Sequence, residues 1–444
     1  MVTRKVGQKI SQVIENKSEF NNILLIEGAR QVGKTTLVRQ VLEGHPYKEV
    51  NLEEKKALSE KIDHCEDFDQ FTEMIQIETG FRVGGGEILF IDEAQESRRL
   101  GAFIRFMKEK WKGTQVILSG SSMSRIFRDD IRYPVGRVTS IHVQPFSFEE
   151  FLLAGEEDLL LKSLRSFTVH HQISQELHQR FLECLESFME VGGLPEVAVT
   201  YFRKGDWRSL REEILLGYYN DFKRVFGEVL QSYFIAALKT TAHLLGAPFK
   251  NSHVSILMDG GKNQDIIKTL TQLEAWKMIF RVDQRGNSPE SHFHPKRYLF
   301  DIGIAKQLRE AVIPKIRLSH RPLNISEITT RTSLGGLIES ATLQSLLSTE
   351  REIVGWKKSS SGSEVDFILS RGDQIIPVEC KTALSIKNSH LGGIRDFMNL
   401  KKISLGVVVS LAPFEIRNFL TGQQIVILPL YLVERIQEIL RELE

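Results

Sequence analysis

Little in this sequence points to the cell exterior or to a membrane. Its 444 residues include three cysteines, Cys65, Cys184 and Cys380. They stand far apart with no CxxC spacing, so neither a disulfide framework nor a zinc site is expected. No apolar run approaches the length that spans a bilayer, and the opening MVTRKVGQKI is basic without the apolar core of a secretory signal. These absences predict a reducing, cytoplasmic setting and no membrane partner. Charge of one sign is also lacking: 58 Lys and Arg face 57 Asp and Glu, a formal net charge of +1. Contact with nucleic acid therefore has to come from a local basic patch, not from the field of the whole molecule. There is no long Pro/Ser/Gly tract, and the hydrophobic and charged fractions of 41% and 26% are those of folded chains. The length exceeds what one core organises, so several domains are expected.

Periodicity divides the chain. Ile23 to Glu27 is an apolar run entering Gly28, and similar runs recur at Ile88 to Ile91 and Val116 to Leu118. Continuous apolar strands alternating with helix-like segments predict an α/β domain with a doubly wound parallel sheet over residues 1–147. Residues 148–216 read as a helical lid or connector, with Phe146, Phe148, Phe151 and Leu152 as an apolar seam and Gly192-Gly193-Leu194-Pro195 as a breaker. Residues 217–325 read as helical and winged-helix-like. There Asp265 to Phe280 carries Ile266, Ile267, Leu270, Leu273, Trp276 and Ile279 at helical spacing. Residues 326–444 return to α/β patterning: a helix around Leu337 to Leu347, then strand-like IVGWKK, EVDFILS, IIPVECK and VVVS segments.

The segment Gly28, Ala29, Arg30, Gln31, Val32, Gly33, Lys34, Thr35 matches GxxxxGK[ST] between a buried strand and a helix, with Thr36 following. Glycines let backbone N–H groups surround phosphate oxygens, and the helix N-terminus adds its positive dipole end. Lys34 is then expected to neutralise the β- and γ-phosphates and the Thr35 hydroxyl to coordinate Mg²⁺. Ile88-Leu-Phe-Ile-Asp92-Glu93 is an apolar strand ending in two carboxylates. Asp92 suits Mg²⁺, and Glu93 suits orienting and deprotonating the attacking water, which implies hydrolysis as well as binding. Ser119 is a candidate sensor of the γ-phosphate, with Ser121 in competition and a plain turn hydroxyl an equal alternative. Arg137, after Gly136, could reach a phosphate in cis or in a neighbouring subunit, which makes a homo-oligomer a candidate assembly.

These residues together resemble a known family, the prokaryotic AAA-type ATPases joined to the domain of unknown function numbered 4143. The likeness rests on GARQVGKTT from Gly28, LFIDEAQ from Leu89, LSGSS from Leu118, VGRV from Val135, QPFSFEEFL from Gln144 and GGLPE from Gly192. It continues through YLFDIGIA from Tyr298, GGLIES from Gly335, EVDFIL from Glu364 and PVECK from Pro377. The resemblance implies ATP and Mg²⁺ as ligands, the nucleotide roles above for Lys34, Thr35, Asp92 and Glu93, and a restriction-endonuclease-like C-terminal fold. Asp265 to Phe280 resembles a recognition helix but lacks the Arg/Lys/Asn cluster that reads bases.

Glu339 on a helix, Asp366 on a strand and Glu379-Cys380-Lys381 on the next strand follow the PD-(D/E)xK order, with Val365 where a proline is usual. In such sites the carboxylates hold one or two Mg²⁺ or Mn²⁺ ions and the lysine steadies water or phosphate, which makes DNA a candidate substrate. The same E-x-K pattern also occurs as a solvated salt bridge. Two alternative functions follow from the sequence: an ATPase coupled to nucleic-acid binding or cleavage, or a nucleotide-dependent signalling or scaffold switch whose C-terminal domain is catalytically silent.

Overall fold

A computed structural model describes residues 2, 4–16, 23–121, 138–170, 172–288, 291–309, 328–348, 352–359, 362–372 and 374–443. The chain forms two compact units. One is Met1–Pro145 with Ala275–Lys277, the other Phe146–Glu274 with Met278–Glu444.

The first unit is built on five parallel strands, β1 (Ile23–Glu27), β2 (Tyr47–Asn51), β3 (Ile88–Asp92), β4 (Gln115–Gly120) and β5 (Thr139–His142), in the order β2-β3-β4-β1-β5. Strands β1, β3 and β4 are buried almost throughout, as their continuous apolar sequences require of strands covered on both faces. The edge strands β2 and β5 are only partly buried. Helices Lys34–Val41, Lys56–His64, Phe68–Thr79 and Leu100–Lys110 accompany the sheet. Phe68–Thr79 starts where the Asp67 side chain accepts from the N–H groups of Asp69 and Gln70, and ends at Gly80 in the left-handed region. Its inner face stacks Phe71 on Phe103 at 4.5 Å, part of a core that includes Phe68, Phe81 and Trp111. Parallel strands in this order with a glycine loop after β1 make a P-loop NTPase-like sheet.

The second unit opens with helices. Phe148–Ala154 begins at a capping box between Ser147 and Glu150, and Phe146, Phe148, Phe151 and Leu152 are all buried, the seam expected from sequence. The Gly192-Gly193 breaker has a specific partner: buried Asp301 accepts from Gly193 N at 2.7 Å and Ile304 N at 2.8 Å. A Cβ on Gly192 would approach the Asp301 carboxylate at 2.5 Å. The GGLP and FDIG segments are thus one structural clamp within this unit.

Helix Asn263–Ala275 buries Ile266, Leu270 and Leu273, but the apolar periodicity running on to Phe280 does not extend it. Lys277 adopts φ 58°, the left-handed conformation that ends helices, and Ile279–Val282 is strand β6, paired antiparallel with β8 (Lys296–Leu299). Strands β7 (Gln284–Arg285), β9 (Val354–Lys357), β10 (Glu364–Arg371), β11 (Gln374–Cys380), β12 (Leu405–Ser410), β13 (Glu415–Asn418) and β14 (Gln424–Pro429) form a mixed sheet ordered β13-β14-β12-β11-β10-β9-β7. Helices Ile328–Leu346 and Gly392–Lys401 belong to the same part of the chain. Among the described residues no helix is long and apolar enough to cross a membrane.

Candidate functional site

The loop after β1 is shaped by backbone constraints. Gly33 has φ 83° and Gln31 φ 64°, and a Cβ on Gly28 would stand 2.2 Å from the carbonyl oxygen of Val143. Only glycine fits at position 28, and Gly33 takes the left-handed conformation at least cost. Helix Lys34–Val41 begins directly after Gly33, so its unsatisfied N–H groups face the loop. Buried Lys34 donates from Nζ to the carbonyl oxygens of Gly28 at 3.1 Å and Ala29 at 2.9 Å. Burial lowers its pKa to about 8, while Glu93 and then Asp92 pull it back up.

Strand pairing brings the remaining groups together. Asn51 ends β2 opposite Asp92 at the end of β3, and Ser119 lies near the end of β4. Thr35 Oγ1 donates to Asp92 Oδ2 at 2.7 Å and Asn51 Nδ2 to the same oxygen at 3.2 Å. Ser119 Oγ and the Glu93 N–H, the latter at 3.0 Å, donate to Asp92 Oδ1. Among the described residues every hydrogen bond to the buried Asp92 carboxylate thus comes from an uncharged donor. Glu93 stands in the left-handed region at φ 49°, a conformation that costs a non-glycine residue about 1–2 kcal/mol and concentrates at functional sites. Burial raises the Glu93 carboxyl above its ordinary range, against the opposing pull of Lys34 and of Gln95, whose Nε2 donates to Glu93 Oε2.

An anionic carboxylate held by hydroxyl and amide groups beside a glycine cradle fits a hydrated divalent cation and a polyphosphate. Asn51 was not singled out by sequence. It also accepts from the N–H groups of Glu53 at 2.9 Å and Glu54 at 3.1 Å, which fixes its amide toward Asp92. Arg30 pairs with Glu53 at 3.2 Å. Ser121 is a bend residue after β4. Arg137 lies outside the described residues.

In the second unit two of the four positions of the nuclease-like pattern, Glu339 and Asp366, meet at a fifth residue, Lys296, and the other two pair with each other. Lys296 Nζ donates to Asp366 Oδ1 at 2.8 Å and to Glu339 Oε2 at 3.0 Å, Tyr298 donates to Glu339 Oε2 at 2.7 Å, and Cys380 N donates to Asp366 Oδ2 at 2.9 Å. Lys381 pairs with Glu379. Burial, then Asp366, pushes Glu379 up to about 8 and Glu339 up to about 7. Among the described residues no group of three or more His, Cys, Asp or Glu side chains is placed to hold a metal ion.

Sheet order, glycine loop and the Asp92-Glu93 strand end are those of a P-loop NTPase-like domain. Comparison agrees: residues 20–152 match the family model of the AAA domain, residues 182–314 the domain of unknown function 8612, and residues 334–432 the domain of unknown function 4143. An uncharacterized protein of Methanocaldococcus jannaschii is 25% identical over 218 residues, 48% of this chain and 44% of that protein. The match thus spans less than half the length of this curated relative. Among solved structures, the Walker-type ATPase of Pyrococcus abyssi aligns with a TM-score of 0.45 and 17% identity over 70% of this chain and 96% of that one. The Aeropyrum pernix ORC1 protein in complex with DNA aligns with a TM-score of 0.29 and 13% identity over 70% and 93%.

Proposed function

We propose that this protein binds ATP with Mg²⁺ in the loop Gly28–Thr36 and hydrolyses it, using turnover to switch the state of the rest of the chain. The observation that carries the reading is the buried Asp92 carboxylate, joined to Thr35 by a hydrogen bond of 2.7 Å and surrounded by uncharged donors beside the glycine cradle. Thr35 and Asp92 would hold the magnesium, which supplies charge neutralisation at the β- and γ-phosphates. Lys34 binds the phosphates. Glu93 orients the water and takes its proton, and its raised pKa makes it a stronger base than an exposed carboxylate. Ser119 reports the phosphate through Asp92, and Arg137 completes the charge stabilisation. A homo-oligomer, DNA as a ligand of the middle or C-terminal part, and a cytoplasmic site of action belong to the same proposal.

Calorimetric titration with ATP tests it. Wild type should bind in a Mg²⁺-dependent manner and Lys34→Ala should lose most of that affinity; a folded wild type that ignores ATP refutes the reading. The accompanying proposal is a restriction-endonuclease-like fold for the C-terminal domain, supported by the convergence of Glu339, Asp366, Glu379 and Lys381. One observation favours a recognition domain over a metal-dependent nuclease, namely the ammonium of Lys296 between two of those carboxylates.

A further inference from the structure

We infer that Lys296 is a built-in counter-ion occupying the place a divalent metal would need between Glu339 and Asp366, so that the C-terminal carboxylates function without a metal. The inference rests on the restriction-nuclease-like reading only for the expectation that these carboxylates would otherwise bind metal.

Lys296 comes from β8, which pairs with β6 and lies outside the mixed sheet that carries Asp366 and Glu379. Its side chain is 1% exposed. The contacts of 2.8 and 3.0 Å to Asp366 Oδ1 and Glu339 Oε2 are charge-assisted hydrogen bonds, and Glu364 Oε1 follows at 3.6 Å. Tyr298, two residues along β8 and so on the same strand face, caps Glu339 Oε2. On its other side Glu339 Oε1 faces the backbone of Gly246, where even an added Cβ would approach to 2.7 Å. The second oxygen of Asp366 is taken by Cys380 N. Magnesium requires roughly octahedral oxygen ligands at about 2.0–2.1 Å, and a dication at this point would meet the ammonium head-on. Binding a metal therefore requires expelling a buried lysine from both of its partners. Lys296 and Lys381 together place two ammonium groups against the three central carboxylates.

The pattern that resembles a nuclease centre is, on this account, an ionic fastening. It ties the β6–β8 hairpin, inside the segment matched by the 8612 model, to the helix and strands matched by the 4143 model.

The test is a Mn²⁺ titration of the full chain without nucleotide, followed by electron paramagnetic resonance of free Mn²⁺, in an Asp92→Asn background that removes the N-terminal ligand. The background variant should bind no Mn²⁺ in the second unit, and adding Lys296→Met should create one Mn²⁺ site per chain that Glu379→Gln removes again. A Mn²⁺ ion bound in the background variant and released by Glu379→Gln overturns the inference, as does a folded Lys296→Met chain that gains no site. Should Lys296→Met fail to fold, the background variant with and without Glu379→Gln still decides. ATP affinity of the wild type, measured separately, reports on the nucleotide site alone, so failure there leaves the Mn²⁺ count interpretable.

Discussion

Two clusters of buried carboxylates, one in each unit, are solvated by the protein in opposite ways. Asp92 receives a hydroxyl from Thr35, a hydroxyl from Ser119, an amide from Asn51 and a backbone N–H. All are neutral, so its charge is left available to an incoming cation. Asp366 and Glu339 receive the ammonium of Lys296, and Glu379 that of Lys381, so two internal cations already stand against these three carboxylates. Acidic residues at the right sequence positions are common to both clusters. What separates a cation-ready site from a closed one is whether the donors around the acids are dipoles or charges, because an internal cation competes with an external one for the same oxygens.

The comparison breaks first at Glu93. Its carboxylate holds no phosphate contact of its own in the proposal, so Glu93→Gln should leave ATP affinity within a few-fold of wild type. Turnover should drop by about 10²–10⁴-fold, the usual contribution of a positioned general base. A phosphate-release assay with a parallel binding measurement checks this, and unchanged turnover would remove Glu93 from the mechanism.

Stability supplies the next contrast. Asp366→Ala takes from the buried Lys296 ammonium the nearer of its two close carboxylate partners and leaves the Cys380 N–H without its acceptor, so unfolding free energy should fall by about 3 kcal/mol. Asp92→Asn strands no cation; its amide keeps one acceptor oxygen, and its NH2 can donate to the hydroxyl on the other side, so it should cost about 1–2 kcal/mol. Urea denaturation of the two variants measures both. Equal losses would mean that the two clusters are solvated alike after all.

Much of the first cluster was legible in the sequence because its parts sit at the ends of strands apolar on both faces. Strands β1, β3 and β4 announce themselves by ILLI, ILFI and VIL, and the groups that follow them are Gly28, Asp92 and Ser119. Asn51 escaped because β2 is an edge strand whose sequence YKEVN buries only Val50, and a polar residue ending a polar strand carries no periodic signal. Lys296 escaped for a different reason. In HPKRYLF it looks like part of a solvated basic patch, and only the pairing of β8 with β6 and the approach of Glu339 and Asp366 bury it. The helix expected from Asp265 to Phe280 illustrates the converse. Its apolar spacing is continuous, yet the left-handed turn at Lys277 sends Ile279 and Phe280 into a strand. Local pattern records which faces are apolar, whereas the counter-ions of a buried acid come from distant segments.

Asn51 offers a gentler probe of the first cluster than its acids do. Its Nδ2 reaches Asp92 at 3.2 Å while its Oδ1 is held by the Glu53 and Glu54 N–H groups, so it positions the carboxylate without carrying charge. Asn51→Ala should reduce kcat by roughly tenfold, the equivalent of one hydrogen bond of about 1–1.5 kcal/mol, with a smaller change in KM. Asn51→Asp should be worse, because a second carboxylate would repel Asp92. A kcat equal to wild type in Asn51→Ala would show that Thr35 and Ser119 suffice to hold Asp92.

The smallest effect is expected from pH. Lys34 is pulled down to about 8 by its burial, and the phosphates of a bound nucleotide would raise that value by adding negative charge next to the ammonium. ATP affinity should therefore be flat below pH 8 and weaken above it, by at most tenfold per pH unit, until the pKa of the bound state is passed. Above pH 8 each binding event should take up part of a proton, visible as a dependence of the calorimetric heat on the ionisation enthalpy of the buffer. The second cluster offers no such linkage to nucleotide, since its lysines are committed to carboxylates. A proton uptake that persists unchanged in Lys34→Arg, whose guanidinium stays charged throughout this range, would show that a group other than Lys34 carries the linkage.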